Sequence, residues 1–75
     1  PSREVLFTLA SLVIHDRLST AEMAMSLHQP EVQSRLMITR LKSKGMVVEK
    51  DNSYSLNQMV YRQVIRLLKR RNIIH

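Results

Sequence analysis

The stretch from residue 19 to residue 45 constrains the fold most, because it holds the start and stop signals of two successive helices. Ser19 and Glu22 have the spacing of a capping box. In this arrangement the serine hydroxyl and the glutamate carboxylate each accept a backbone N–H at the start of a helix. The sequence therefore predicts a helix over residues 20–27.

A break and a second start follow directly. Residues 28–29 form a tight turn, and Pro30 suits the first turn of a helix, where its missing N–H costs nothing. The second helix is predicted to run to about Lys44 and to end at Gly45, the residue type that most easily takes a left-handed conformation. Two helices joined by so short a break predict a helix-turn-helix.

The second helix has two faces of different composition at about 100° per residue. The face expected to pack inward comprises Ser34, Met37, Ile38 and Leu41. The opposite face comprises Val32, Arg35, Leu36, Thr39 and Ser43, flanked by Gln33 and Arg40. On a helix that enters the major groove, Arg35, Gln33 and Thr39 suit base edges. Val32 and Leu36 are less expected there, and they suit either thymine methyl groups or another protein.

Residues 18–24, Leu27 and residues 41–47 resemble the framework of the winged helix-turn-helix superfamily. They read LSTAEMA, L and LKSKGMV, where bacterial winged-helix regulators have T-x-x-E-L-A, L and L-x-x-K-G-L-V. The resemblance covers residues 4–57 and implies a mainly α fold with a small β-hairpin (α+β). Its order is a helix, one or two strand residues at Leu18, two helices, a hairpin and a last helix.

The resemblance also implies that helix 30–44 docks in the major groove of double-stranded DNA. The candidate DNA-binding residues are Gln33, Arg35, Thr39, Arg40, Lys42, Lys44 and Lys50. The first three would face bases and the others the phosphate backbone. Two features depart from the typical pattern: His28 stands where many members have Gly, and the outward face is less basic.

A weaker similarity, through the Gln29-Pro30 turn and the small size, is to the winged-helix accessory proteins of bacterial ferrous iron transport. Those proteins usually carry a cysteine cluster in the wing, and this chain has no cysteine.

The first helix is predicted to start after Ser2 and to end at His15. Its apolar face comprises Val5, Leu6, Leu9, Leu12 and Val13, extended by Phe7, Ala10 and Ile14. Thr8, Ser11 and His15 are expected to face solvent. The width of the apolar arc leaves open whether Phe7 and Ile14 also meet a partner subunit.

Residues 46–50 and 54–56 are predicted to form the hairpin around a turn at residues 51–53. Lys50 is its one cation and lies between two acidic residues, Glu49 and Asp51. This composition favours a hairpin that covers the core over a wing that grips the minor groove.

The last helix is predicted from Asn57 or Ser55 to about Arg71. Its apolar face comprises Val60, Tyr61, Val64, Ile65, Leu67 and Leu68, and its opposite face carries Arg62, Arg66, Lys69 and Arg70. The cationic face is a solvated surface, a phosphate-binding surface or a lipid-binding surface. The apolar face is longer than a small core needs, which makes it a candidate homodimer or protein interface.

Composition bounds the remaining possibilities. We interpret residues 1–75 as a single domain, either whole or excised from a longer protein. The formal charge of +6 and the pI near 10.6 favour polyanionic partners. The lack of cysteine, of a long apolar run and of a secretory signal favours a cytoplasmic protein without a membrane span.

No catalytic, metal or cofactor site is predicted. The three histidines lie in separate segments, and the single glycine excludes a glycine-rich phosphate loop. Two hypotheses remain: a DNA-binding module in transcriptional regulation, or a protein-interaction or oligomerisation module. The candidate protein-interface residues are Val32, Leu36, Tyr61, Ile65 and Leu68.

Overall fold

Helices and one β-hairpin follow one another in the computed structural model, which describes residues 2–75. The helices are α1 (Arg3–His15), α2 (Thr20–Leu27), α3 (Glu31–Ser43) and α4 (Tyr61–Arg70). The strands are β1 (Val47–Lys50) and β2 (Ser53–Leu56), and a 3₁₀ turn (Gln58–Val60) precedes α4. This order confirms the predicted α+β fold. Pro1, the first residue of the predicted domain, lies outside the described residues.

The core lies where the four helices and the hairpin meet. Its buried apolar side chains are Leu6, Leu9, Ala10, Leu12, Leu18, Met23, Met37, Ile38, Leu41, Val47, Leu56, Val64 and Leu68. All four residues predicted for the inner face of α3 are buried. The opposite face of α3 is therefore turned to solvent.

The first two helices begin at their predicted caps. The Ser2 hydroxyl accepts the Val5 N–H at 3.3 Å. In α2 the Ser19 hydroxyl accepts the Glu22 N–H at 3.1 Å, and the Glu22 carboxylate accepts the Ser19 N–H at 2.9 Å. The hydrogen bond that the carboxylate accepts from the Ser19 backbone N–H is the largest cause that lowers the pKa of Glu22, and the Ser19 side chain lowers it further.

Pro30 lies one position earlier than predicted. It is the N-cap of α3, with φ −60° and ψ 145°, and α3 begins at Glu31. The Pro30 carbonyl accepts the N–H groups of Gln33 and Ser34 at 3.1 and 3.4 Å. The fixed φ of proline suits this extended position as well as the first turn, so the sequence signal located the helix start to within one residue.

The solvent-exposed and buried faces of α1 differ from the prediction. Thr8 and Ser11 are buried, at 1% and 6% exposure, whereas Phe7 and Ile14 are 39% and 69% exposed. The Thr8 hydroxyl donates to the Glu4 carbonyl at 2.8 Å, and the hydroxyls of Ser11 and Ser26 share a hydrogen bond of 3.0 Å. Because both hydroxyls are hydrogen-bonded, these small side chains can be buried, and the larger Phe7 and Ile14 face outward.

The hairpin is antiparallel, with Val47 opposite Leu56 and Lys50 opposite Ser53. Asp51 and Asn52 both have positive φ, 52° and 63°, as in the two-residue turns that match the twist of a hairpin. On its other side β2 forms a single bridge, in which Leu18 and Tyr54 exchange hydrogen bonds of 2.9 and 2.8 Å. This bridge is the short first strand expected at Leu18.

Asn57 connects the hairpin to the last helix. Its side-chain oxygen accepts the Met59 N–H at 3.0 Å, and its side-chain nitrogen donates to the Gly45 carbonyl at 2.8 Å. The helical segment thus begins as a 3₁₀ turn capped by Asn57 and becomes α-helical at Tyr61. After α4 the two isoleucines at positions 73 and 74 pack half-buried against the core. Within residues 2–75 no helix is long and apolar enough to cross a bilayer.

Candidate nucleic-acid interface

The outward face of α3 is exposed along the whole helix. Its most outward residues, which we call the crest, are Val32, Leu36, Thr39 and Ser43. Val32 and Leu36 are each 59% exposed. The 13 residues of α3 form a rod about 20 Å long at 1.5 Å per residue, with no other element lying over the crest.

The two hydroxyls of the crest are engaged by their own helix. Thr39 donates to the Arg35 carbonyl at 2.8 Å, and Ser43 donates to the Arg40 carbonyl at 2.8 Å. Their protons therefore point back at the helix, which leaves the apolar side chains of Val32 and Leu36 as the largest groups on the crest. The crest thus presents mainly carbon.

One flank of the crest carries cations that are paired with acids. Arg35 lies 3.4 Å from Glu31, and Lys42 lies 2.6 Å from Glu49 in β1. All four side chains are at least one-third exposed, so each pair contributes little to stability. The hydrogen bond to Glu49 raises the pKa of Lys42 and connects α3 to the hairpin.

The other flank carries cations that no acid neutralises. Arg40 and Lys44 take part in neither of the two ion pairs found among residues 2–75. Both border a groove floored by apolar side chains of α1 and α3 and closed by Leu67 of α4. Gln33 lies nearer the start of this flank, where its amide donates to the Glu4 carboxylate at 2.9 Å.

Lys50, the remaining candidate, is exposed at the end of β1, one residue before the turn. The structure thus brings six of the seven candidate DNA-binding residues onto α3 or the residue that caps its end, and it sets Lys50 on the hairpin that Lys42 connects to α3.

Sequence reasoning missed the acids that engage three of these candidates. Glu31 is four residues before Arg35, a spacing that predicts an ion pair on a helix, so this contact could have been predicted from the sequence. The contacts of Gln33 with Glu4 and of Lys42 with Glu49 span 29 and 7 residues and depend on how the elements pack.

The candidate protein interface on α4 is smaller than the sequence predicts. Leu68 is fully buried in the core of its own chain, so it is unavailable to a partner. Tyr61 and Ile65 are half-buried and keep some exposed surface. The correction arises because α4 packs on α1 through the middle of its apolar face, at Val64 and Leu68.

The positive charge of the chain is unevenly distributed. Residues 52–75 hold five Arg or Lys and no Asp or Glu, against seven and six in residues 1–51. Arg62, Arg66, Lys69 and Arg70 are all exposed on α4. No three His, Asp or Glu side chains in the described part of the chain come together as a metal site would require.

A scan against models of known protein families finds no match, and neither does a search of curated proteins. Two solved structures are similar. The YusO protein from Bacillus subtilis has a TM-score of 0.71 at 23% identity, over 95% of this chain and 60% of that one. Pseudomonas aeruginosa HmgR has a TM-score of 0.65 at 23% identity, over 89% of this chain and 29% of that one.

The fold is a winged helix. At this identity the likeness concerns the fold alone, and the chain spans less than two-thirds of the length of either protein. In this winged helix α2 and α3 are the helix-turn-helix, and β1 and β2 are the wing. The exposed crest of α3 is therefore on the helix that the fold presents outward.

Proposed function

We propose that this winged-helix domain binds double-stranded DNA and serves in transcriptional regulation, with α3 in the major groove. The observation that carries the proposal is the crest of α3, which is uncovered along the helix and lies beside two unpaired cations, Arg40 and Lys44. The major groove of DNA is about 12 Å wide and admits an α-helix such as α3.

The side chains on the flanks would have separate roles. Arg40 and Lys44 lie on the same side of α3 and would meet phosphates of one strand. Lys50 would meet phosphate from the wing. Arg35 is held by an exposed, weak ion pair, so it can leave Glu31 for the N7 and O6 atoms of guanine, its usual partners in the groove.

The test is a fluorescence-anisotropy titration against random duplex DNA at two salt concentrations. The wild-type domain should bind, and its affinity should fall steeply with salt because phosphate contacts release counterions. Changing Arg40 and Lys44 together to Glu should weaken binding to all duplexes and reduce the slope of log K against log salt by roughly two.

The matched control changes Arg62 and Arg66 of α4 to Glu. It alters the net charge equally but leaves α3 intact, so the salt slope should fall by much less than in the α3 variant. Circular dichroism should show that both variants keep the helical fold. A domain that fails to bind any duplex at low salt, despite its net charge of +6, would contradict the proposal.

A specific observation favours a second candidate function. Val32 and Leu36 are large, apolar and well exposed on α3, and Tyr61 and Ile65 are partly exposed on α4. Such surfaces also suit a protein-interaction or oligomerisation module. In that case Leu36→Asp should break a protein contact, and the domain should not bind DNA.

A further inference from the structure

The crest of α3 is poorly equipped to read bases by hydrogen bonding. Val32 and Leu36 have no polar side-chain atom, and the hydroxyl protons of Thr39 and Ser43 are donated to carbonyls of their own helix. On the flanks, Gln33 is engaged with Glu4, and Arg35, which can leave its weak ion pair with Glu31, lies to one side of the crest. What the centre of this face offers to a DNA groove is methyl groups.

The bases display one apolar group in the major groove, the C5-methyl of thymine, and apolar side chains contact it. Val32 and Leu36 are four residues apart, roughly 6 Å along the helix axis. Base pairs are spaced about 3.4 Å apart along the duplex. The two side chains can therefore reach methyl groups that lie within about two base pairs of each other.

We propose that Val32 and Leu36 are specificity residues that read thymine methyl groups in the major groove. The inference rests on the proposed function, since it names the feature of the DNA that the same helix selects. The domain then prefers sites with thymines at two nearby base pairs, and it makes that choice by burying carbon surface.

Two features of the surface favour DNA over a protein at the crest. The energetically dominant residues of protein interfaces are enriched in Trp, Tyr and Arg. The aromatic residues of this chain lie outside α3, and the arginines of α3, Arg35 and Arg40, lie on the flanks and not on the crest. The apolar pair is also flanked by cations, with Arg40 and Lys44 unpaired on one side. An apolar crest with a basic flank complements a groove that has methyl groups on its floor and phosphates along its edge.

The test exploits uracil, which differs from thymine only in lacking the C5-methyl group. A random duplex pool is amplified once with thymidine and once with deoxyuridine triphosphate, and the domain is titrated with each pool at the same low salt. The wild-type domain should bind the uracil pool more weakly, by up to about fourfold for each methyl group that it buries.

The variant Val32→Ala/Leu36→Ala completes a thermodynamic cycle. If these side chains contact the methyl groups, the variant should bind the two pools equally, because its loss of affinity is confined to thymine-containing DNA. The matched control, Ile14→Ala/Met25→Ala, removes apolar side chains of similar exposure, 69% and 77%, from α1 and α2. It should keep the full preference for thymine. All four mutated residues are exposed, so the fold should survive, as a thermal melt checks.

The outcomes separate the inference from the function on which it rests. Equal affinity of the wild type for both pools would overturn the thymine reading and leave DNA binding intact. A preference for thymine that persists in the Val32→Ala/Leu36→Ala variant would overturn it as well. Failure to bind either pool would overturn the proposed function, and the crest would then be tested as a protein-binding surface.

Discussion

His28 shows how much one backbone angle can decide. It ends α2 with φ 53° and ψ 50°, a left-handed conformation. The next residue, Gln29, donates its N–H to the Ala24 carbonyl at 3.1 Å, which completes the turn that stops the helix. The left-handed conformation costs roughly 1–2 kcal/mol for a residue with a Cβ atom. The backbone is therefore locally strained at His28, in the turn between α2 and α3.

At position 28, glycine should stabilise the domain more than alanine, which is the reverse of their usual order in a helix. In a helix interior, Ala is more stabilising than Gly by about 0.5–1 kcal/mol. At position 28, His28→Gly should be more stable than His28→Ala by about 1 kcal/mol, because glycine takes positive φ without the steric cost. That difference corresponds to roughly 4–8 °C in melting temperature for a domain of this size.

The control pair is Met25→Gly and Met25→Ala, one turn earlier at an exposed helical position. Here alanine should be the more stable variant. If alanine is also the better residue at position 28, the left-handed conformation does not determine the stability there.

Three helices of this fold end in the same way with three different residues. The residue with positive φ is the first one after α2 and the second one after α3 and α4, and it is His28, Gly45 and Asn72 respectively. In each case the following N–H donates back to a carbonyl five residues earlier, as Met46 does to Leu41 at 3.0 Å. The sequence predicted where all three helices stop to within about one residue, but it predicted a left-handed ending only at Gly45.

Asn57 should be the most sensitive polar side chain at the junction of elements. It caps the 3₁₀ turn and also holds the carbonyl of Gly45 at the end of α3. Asn57→Ala removes both hydrogen bonds and should lower the free energy of unfolding by about 1–2 kcal/mol, measured by urea denaturation.

Asn57→Asp keeps the accepting oxygen and loses the donating nitrogen. It should therefore fall between the wild type and Asn57→Ala. If Asn57→Asp is no more stable than Asn57→Ala, the cap to Met59 contributes nothing and the connection to Gly45 carries the whole effect.

The helices themselves could be predicted because their signals are local. Ser19 and Glu22 lie within one turn, and the 3.6-residue period of α3 identified its buried face without knowledge of its neighbours. Which residues of α1 are buried could not be predicted in this way. Thr8 and Ser11 look polar in sequence, yet both are buried, because the Thr8 hydroxyl is satisfied within its own helix and the Ser11 hydroxyl by Ser26 of α2.

The same difference between local signals and contacts between elements applies to the candidate site. That helix 30–44 faces outward follows from its own pattern, but which of its polar groups are free depends on contacts with α1 and β1. The role of the candidate residues in binding stays a prediction. So does the use of Tyr61 and Ile65 by a partner.

The whole molecule has a strong charge gradient, since its last 24 residues carry five of the six net positive charges. Charges that lie away from a binding site attract a polyanion at a distance and change association rates more than dissociation rates. Under the proposed function, the α4 cations would guide the domain toward DNA, and α3 would hold it there.

Changing Arg62 and Arg66 to Glu should therefore slow association with DNA several-fold at low salt, an effect on the order seen for electrostatic steering. The dissociation rate should stay within about twofold, since contacts in the groove set it. Stopped-flow anisotropy measures both rates, and Arg62→Gln/Arg66→Gln should give a smaller change. A faster dissociation without slower association would instead place α4 in direct contact with phosphate.

The bridge between Leu18 and Tyr54 also affects whether the domain can aggregate through strand pairing at high protein concentration. With Leu18 on one side of β2 and β1 on the other, the backbone that can still accept an additional strand is the outer edge of β1. That edge is four residues long and ends in two opposite charges, Glu49 and Lys50. A short, charged edge is a poor template for sheet growth between molecules, so the wing can stand out from the domain without seeding aggregation.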